Sequence, residues 1–227
     1  MKLDMFDAYN IRVRLCSSII VLAPVIITLF LCFEELSTLL SSVVLMSVLL
    51  ALANCLPILQ RRVYRENVHI PNYAVQFLEP SDNTLDSISK MRYYKTLAEK
   101  EPTLCCLGKP NDSSEFSQYC ESAVRYLREK TRKNTLVQEE NINFGFYRAL
   151  FSCKAMGELL SVCAAILAGT YSVVHFGGVA EIPVSNYVAI VSDLLLFLFW
   201  IVGINRDTLE DTAKQYAKAL LSAIDSL

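Results

Sequence analysis

Four long runs of the sequence are almost free of charged residues, and this feature limits the chain to a membrane fold. No Lys, Arg, Asp or Glu occurs from Leu15 to Phe33 or from Leu36 to Leu59. The runs Ala155–Ala180 and Ile182–Asn205 each carry a single acidic residue. A helix that crosses the bilayer core needs about 20 predominantly apolar residues. The sequence therefore predicts four transmembrane helices.

The basic residues predict the orientation of these helices. All 21 Lys and Arg lie in Met1–Arg14, Gln60–Lys154 or Arg206–Leu227, whereas the turns within the two apolar pairs contain only acidic charges. Basic residues concentrate on the cytoplasmic side of membrane proteins. We therefore expect a multi-pass protein of the cell inner membrane with both termini and the central segment in the cytoplasm.

These patterns predict an all-α integral membrane fold made of two transmembrane hairpins and a cytoplasmic helical insert. We expect an amphipathic start and the first hairpin in residues 1–60, the insert in 61–153, the second hairpin in 154–205 and a cytoplasmic helix in 206–227. An insert of this size buries a small core. Self-association or a partner protein is therefore expected to complete it.

Within the insert, local patterns predict the following elements. Residues 81–102 favour a helix with Ser81, Asp82 and Asn83 as capping candidates. Its residues at helical spacing are Leu85, Ile88, Met91 or Arg92, and Lys95 or Thr96. A loop follows, and from Glu115 an amphipathic helix is indicated by apolar residues at spacings of three and four, which are Phe116, Cys120, Ala123, Val124 and Leu127. A short strand is predicted at Tyr73–Leu78, and a bend at Gly145.

Asp193 is the most unusual residue of the apolar runs, because a carboxyl at the centre of a span costs about 2.5–3.5 kcal/mol on an insertion scale. Such residues usually face a bundle interior, a partner or water. One interpretation is that Asp193 lines a pore or takes part in gating. Another is that an uncharged Asp193 bonds to hydroxyls such as Ser161, Thr170 or Ser192 and serves helix packing, and a third is proton coupling.

Two further polar residues belong to the predicted spans. Glu158 follows Lys154 at a spacing of four, which favours an ion pair near the cytoplasmic interface. Asn54 lies in the second span and is suited to a hydrogen bond between helices.

The sequence gives little sign of an enzyme. The only histidines, His69 and His175, fall on opposite sides of the membrane in the predicted topology, so they cannot share a metal or an acid–base pair. No Cys-x-x-Cys, Walker loop, nucleophile elbow or His-Glu-x-x-His motif occurs. We expect no catalysis, metal or cofactor, and with a net charge of −2 and no basic aromatic patch, no direct binding of nucleic acid. The eight cysteines are expected to be free thiols.

A candidate binding surface lies in the second half of the insert. Arg125, Arg128 and Arg132 recur at spacings of three and four, which suits an anionic nucleotide or an acidic partner protein. A solvated helix face is the alternative interpretation. Towards the membrane, three polar residues are expected to form a collar with their neighbours, and they are Glu140, Asn141 and Arg148.

The layout of two spans, a helical insert and two more spans, with the stretch "EENINFGFYRALFSCK" leading into the third span, carries a resemblance. It resembles the four-transmembrane proteins of bacterial antiphage systems, namely the membrane effectors of cyclic-oligonucleotide defence systems and the membrane component of the Kiwa system. The resemblance implies an oligomeric inner-membrane protein that answers a cytoplasmic ligand or partner by disturbing the membrane. It assigns no role to any single residue.

Three functions are therefore carried forward. The first is an oligomeric antiphage effector or sensor that couples a cytoplasmic signal to membrane perturbation. The second is a non-conducting scaffold in the bilayer that recruits a cytosolic effector protein. The third is a small carrier coupled to protons or cations through Asp193.

Overall fold

The computed structural model describes residues 9–33, 70–108 and 114–226, with isolated positions between 44 and 58. Every regular element in this described part is helical, which confirms the all-α class. The chain forms two compact units. The membrane unit comprises Met1–Val68 and Gly145–Leu209, and the insert unit comprises His69–Phe144 and Glu210–Leu227.

Three described helices are long and apolar enough to cross a membrane, which indicates a membrane protein. They are Asn10–Cys32, Lys154–Phe176 and Val184–Gly203. The second predicted span, Leu36–Leu59, lies largely outside the described residues.

The membrane unit is built from these three helices. A π-helix, Asn10–Cys16, continues into α1, Ser17–Cys32. The other two form a hairpin whose elements are α6, Lys154–Phe176, a 3₁₀ turn, Val179–Glu181, α7, Val184–Leu198, and a π-helix, Phe199–Gly203. Gly177 ends α6 with a φ of 65°, a left-handed conformation that glycine adopts without steric cost. Helices α1, α6 and α7 all pack against one another.

The insert unit contains the remaining helices. In chain order these are α2, Tyr73–Leu78, α3, Ser87–Lys100, a 3₁₀ helix, Pro102–Gly108, α4, Ser114–Lys130, α5, Thr135–Ser152, α8, Arg206–Ser222, and a 3₁₀ turn, Ala223–Ser226. The division between the two units falls within α5, after Phe144, and within α8, after Leu209. The C-terminal helix, which the sequence presented as a separate element, therefore contributes most of its length to the insert unit.

Large apolar side chains fill the core of the insert unit. The apolar stripe predicted for α4 is confirmed, since all five of its residues are buried. Other fully buried side chains are Leu78, Leu97, Leu104, Leu107, Leu220, Leu221 and Ile224. Burial raises the pKa of the Cys120 thiol in this core to about 12, so that thiol stays protonated and unreactive at neutral pH.

Helix α3 buries a different face from the one that its apolar spacing suggests. The buried residues are Lys90, Tyr93, Tyr94 and Leu97. The Lys90 ammonium donates to the carbonyls of Glu79 and Asp82, and the Tyr94 hydroxyl donates to the carbonyl of Leu78. Burial lowers the pKa of Lys90, although the charge of Asp82 acts in the opposite direction. The polar groups of Lys90 and Tyr94 thus satisfy carbonyls at the end of α2 and in the turn that follows it.

The start of α3 also differs from the capping candidates considered, which were Ser81, Asp82 and Asn83. The N-cap is Asp86, whose carboxylate accepts a hydrogen bond from the Ser89 backbone N–H at 2.8 Å. This bond and the Ser89 side chain hold the pKa of Asp86 below its usual value. The end before Pro102 is as predicted, because the residue preceding a proline disfavours the helical conformation.

Two predictions of local structure are wrong. Tyr73–Leu78 is a helix and not a strand, because its apolar run is buried on most sides, and such a short run does not by itself distinguish a strand from a buried helix. Gly145 remains helical, and the break lies at Cys153, a turn between α5 and α6.

Candidate functional site

Asp193 lies in the interior of the membrane unit. It is the tenth residue of the 20-residue span Val184–Gly203 and is fully buried. The Thr28 hydroxyl of α1 donates a hydrogen bond to its Oδ2 at 2.6 Å. Of the three surroundings expected for Asp193, the structure thus shows the bundle interior, and the bond joins two residues 165 positions apart in sequence. The interpretations of Asp193 as a pore-lining, packing or proton-coupling residue stay predictions.

The predicted partners of Asp193 are wrong. The Ser161 hydroxyl donates to the Gly157 carbonyl of its own helix, and the exposed Thr170 donates to the carbonyls of Ile166 and Leu167. Such bonds to the preceding turn satisfy a hydroxyl within one helix. Thr28 has no turn or motif signal of its own, so its pairing with Asp193 follows from the packing of α1 on α7.

One oxygen of Asp193 has no bond in the described part of the chain. Its Oδ1 is buried and lacks a hydrogen-bond partner among the described residues. A buried polar atom without a partner is costly and points to a function or to a group not yet in place. Asp193 therefore keeps one buried oxygen that can accept a hydrogen bond from water or from another chain.

A second polar pair joins the two helices of the hairpin. The Asn186 amide of α7 donates to the Ser172 hydroxyl of α6 at 2.9 Å, and that hydroxyl donates to the Ala168 carbonyl at 2.7 Å. Asn186 and Ser172 are both buried. Interhelical hydrogen bonds of this type contribute about 0.6 kcal/mol on average in a membrane. Helix α7 is thus bonded through polar side chains to both α1 and α6.

Gly157 of α6 is in close contact with Trp200, which lies in the π-helix that follows α7. Trp200 is fully buried in the π-helical end of the last span. A Cβ on Gly157 would lie 2.1 Å from Cε2 of the indole, so the ring occupies the space of a side chain. Any residue other than glycine would displace Trp200.

Lys154 lies beside the same π-helical end. Its ammonium donates to the carbonyl of Ile204 at 2.7 Å and approaches the carboxylate of Glu158 at 3.9 Å. The predicted Lys154–Glu158 ion pair is confirmed. Because the last carbonyls of a helix lack partners within it, the lysine satisfies one at the end of the span.

The described spans enclose polar groups and have a mainly apolar exterior. The described residues contain no group of three His, Cys, Asp or Glu side chains placed to hold a metal ion. Many of the exposed side chains are large and apolar, and they include Leu159, Ile166, Val174, Val188, Leu195 and Val202. The exposed basic residues Arg12 and His175 lie near the ends of their helices. The middle of the outer surface therefore suits lipid.

The other predicted site residues are dispersed. Arg125, Arg128 and Arg132 are all exposed, and one guanidinium N–H of Arg128 donates to the Asn72 side chain at 3.4 Å. Arg132 follows the end of α4 and belongs to the turn. Their role in binding an anion stays a prediction.

The expected collar is divided between the units. Glu140 and Asn141 are half-buried in the insert unit, and Arg148 is half-buried in the membrane unit with its Nε fully enclosed. Asn54 is helical and exposed, and its interhelical bond stays a prediction.

Comparisons of the chain with protein-family models, with curated proteins and with solved structures find no match.

Proposed function

We propose that this chain is an oligomeric inner-membrane effector or sensor of antiphage defence, in which a cytoplasmic signal changes the packing of the membrane helices. The observation that carries the proposal is the hydrogen bond between Thr28 and Asp193, the latter at the middle of the last span. The antiphage context comes from the resemblance of the layout and of the stretch at 139–154.

The pair has the energetics of a reversible contact. A polar bond between membrane helices contributes about 0.6 kcal/mol on average and at most about 1.7 kcal/mol, which a ligand or partner can offset. Once α1 moves away from α7, Asp193 meets water or a second copy, where its charge is better solvated than in the packed interior. Perturbation of the bilayer would then follow from the loss of this packing.

In the proposed mechanism the insert unit binds the cytoplasmic signal. Arg125, Arg128 and Arg132 are exposed there, and three guanidinium groups suit a phosphorylated or carboxylated signal. Such a signal is either a nucleotide or an acidic protein surface.

A non-conducting scaffold is the second candidate, and the apolar exterior favours it. A water-filled pathway between copies requires polar residues on the surfaces that face it. Away from the helix ends, the exposed large side chains of the three described spans are mainly apolar, and Asp193 is buried inside. In this case the spans anchor the insert unit, which recruits a cytosolic protein.

The deciding experiment follows membrane potential during infection. Bacteria expressing the wild type, Asp193→Asn or the control Thr170→Val, whose hydroxyl lies on the exposed face of α6, are challenged with phage in the presence of a potential-sensitive dye. We expect depolarisation with the wild type and the control, and its loss with Asp193→Asn at equal membrane levels. Asparagine keeps the size of the side chain but cannot carry its charge.

Two results contradict the effector proposal. One is protection by the wild type without depolarisation, and the other is an Asp193→Asn protein that behaves like the wild type. A triple change of Arg125, Arg128 and Arg132 to Glu then tests the scaffold, which requires protection to be lost while the protein remains in the membrane.

A further inference from the structure

The outward face of α3 carries an apolar patch that the fold leaves uncovered. Ile88 is 80% exposed and Met91 54% exposed, and Leu85, just before the helix, is half-buried. The only other large apolar side chain exposed in the described part of the insert unit is Leu136, at 53%. Ile88 and Met91 are three residues apart and therefore neighbours on one helix face. Adjacent exposed apolar residues are typical of an interaction surface, whereas single ones are ordinary.

The fold itself holds this patch outward. Rotation of α3 to bury Ile88 would withdraw the Lys90 ammonium from the carbonyls of Glu79 and Asp82. It would also remove the Tyr94 hydroxyl from the Leu78 carbonyl. Three carbonyls would lose their donors, and together this costs more free energy than burial of one apolar side chain returns. The patch therefore stays outward and open to a partner outside this protomer.

The charges beside the patch define which partner fits. The N-terminal side is acidic, with Asp82 and Asp86, and the C-terminal side carries the basic residues Arg92 and Lys95. The Lys95 ammonium approaches the carboxylate of Glu99 on its own helix at 4.0 Å, an exposed pair of the kind that contributes little and that a second copy can replace. A segment that is acidic at one end, apolar in the middle and basic at the other is complementary to itself when two copies run antiparallel. A two-fold interface requires this kind of self-complementarity.

We propose that α3 pairs antiparallel with α3 of a second copy, around a two-fold axis between Ile88 and Met91. In this pairing Ile88 lies opposite Met91 of the other copy. Lys95 then lies beyond Ser87, the first residue of the other copy's α3, on the side that carries the N-cap carboxylate of Asp86. Arg92 already pairs with Asp225 at 3.0 Å on the surface, so its guanidinium lies at the edge of the contact.

The small size of the patch sets the strength of this contact. Stable soluble complexes bury about 800 Å² per partner, which is more than three side chains cover. Two copies held in one bilayer meet at a high effective concentration, so a weak contact suffices there. The pairing deepens the proposed function, whose oligomer has no other interface assigned to it.

Disulfide cross-linking in native membranes tests the pairing. The background replaces the cysteines that are not buried, which are Cys16, Cys55, Cys105, Cys106 and Cys163, with Ser or Ala. Ile88→Cys is compared with the equally conservative Leu136→Cys under a mild oxidant, without phage. We expect dimer formation at position 88 to exceed that at position 136 by about tenfold, because only the first thiol lies near the axis.

A charge change in the same background checks the antiparallel direction. Adding Lys95→Glu places a like charge on the side that carries Asp86 of the other copy and is expected to reduce the Ile88→Cys dimer several-fold. The matched control is Glu115→Lys, an exposed charge change on α4. Trypsin resistance of the insert unit confirms that each variant is folded.

Equal yields at positions 88 and 136 would overturn the proposal. So would a fluorophore on Ile88→Cys that reports a lipid environment without a dimer, since the bilayer surface would then cover the patch. Cross-linking is read without infection, so this outcome is separate from a failure of the depolarisation test.

Discussion

The membrane unit and the insert unit bury opposite kinds of side chain. On α6 the buried residues are small, Gly157, Ser161, Ala164, Ala168 and Ser172, and on α7 they are Asn186, Ala189 and Asp193. In the insert unit the fully buried side chains are mostly leucines. Along α6 and α7 the large apolar residues thus lie mainly outside, with Trp200 beyond the end of α7 as a buried exception, whereas the insert unit buries most of its large apolar residues.

The difference follows from the solvent that each unit meets. In water, burial of apolar surface contributes about 25 cal/mol per Å², so large side chains form the core. In lipid this driving force between helices is absent, and close backbone approach and hydrogen bonds replace it. The inverted pattern of the three described spans is therefore itself an argument that they lie in a membrane.

Truncation of a large apolar residue should give the largest difference in stability effect between the two units. Leu97→Ala in the fully buried core of the insert unit is expected to cost about 2–5 kcal/mol of unfolding free energy through lost burial and a cavity. Ile166→Ala on the exposed face of α6 is the control, and we expect a much smaller effect from it. Trypsin digestion of the protein in membranes measures the effect of Leu97→Ala, and thermal unfolding in detergent measures the effects of both variants. Equal costs would remove the distinction between the two interiors.

Enlargement of a small buried residue should damage the membrane unit instead. Gly157→Ala puts a Cβ 2.1 Å from Trp200 and is expected to cost about 1–3 kcal/mol by overpacking. Gly169→Ala on the same helix meets nothing within 4 Å, so the higher helix propensity of alanine should leave stability unchanged or raise it by up to about 1 kcal/mol. Thermal unfolding and Trp200 fluorescence report both variants. If Gly157→Ala is as stable as Gly169→Ala, the Trp200 indole is not packed against Gly157.

The smallest effect concerns the polar bond within the membrane unit. Thr28→Val keeps the shape of the side chain but removes the donor to Asp193, and we expect a loss of about 0.6–1.7 kcal/mol. Thr28→Ser keeps a hydroxyl and should lie closer to the wild type. The comparison uses the free energy of unfolding in mixed micelles. If valine and serine behave alike, the hydroxyl contributes nothing to the packing of α1 on α7.

Prediction from the sequence succeeded where one helix carries the whole signal. The stripe of α4 and the Lys154–Glu158 pair are confirmed because residues three and four apart share a helix face. It failed where the outcome depends on a second segment. The strand predicted at Tyr73–Leu78 is a helix. Ile88 and Met91 are exposed because Lys90 and Tyr94, on the buried face of α3, donate hydrogen bonds to carbonyls at the end of α2 and in the turn after it.

The sequence alone determined the helical class, three helices long and apolar enough to cross a membrane and the place of Asp193 at the middle of its helix, since length, hydropathy and charge are local properties of the chain. Tertiary structure decided which residue bonds to that carboxyl, the packing of Trp200 against Gly157 and the face that α3 buries. These depend on which helices pack together. Contacts between residues as distant as Thr28 and Asp193 leave no periodicity in a single sequence from which they could be read.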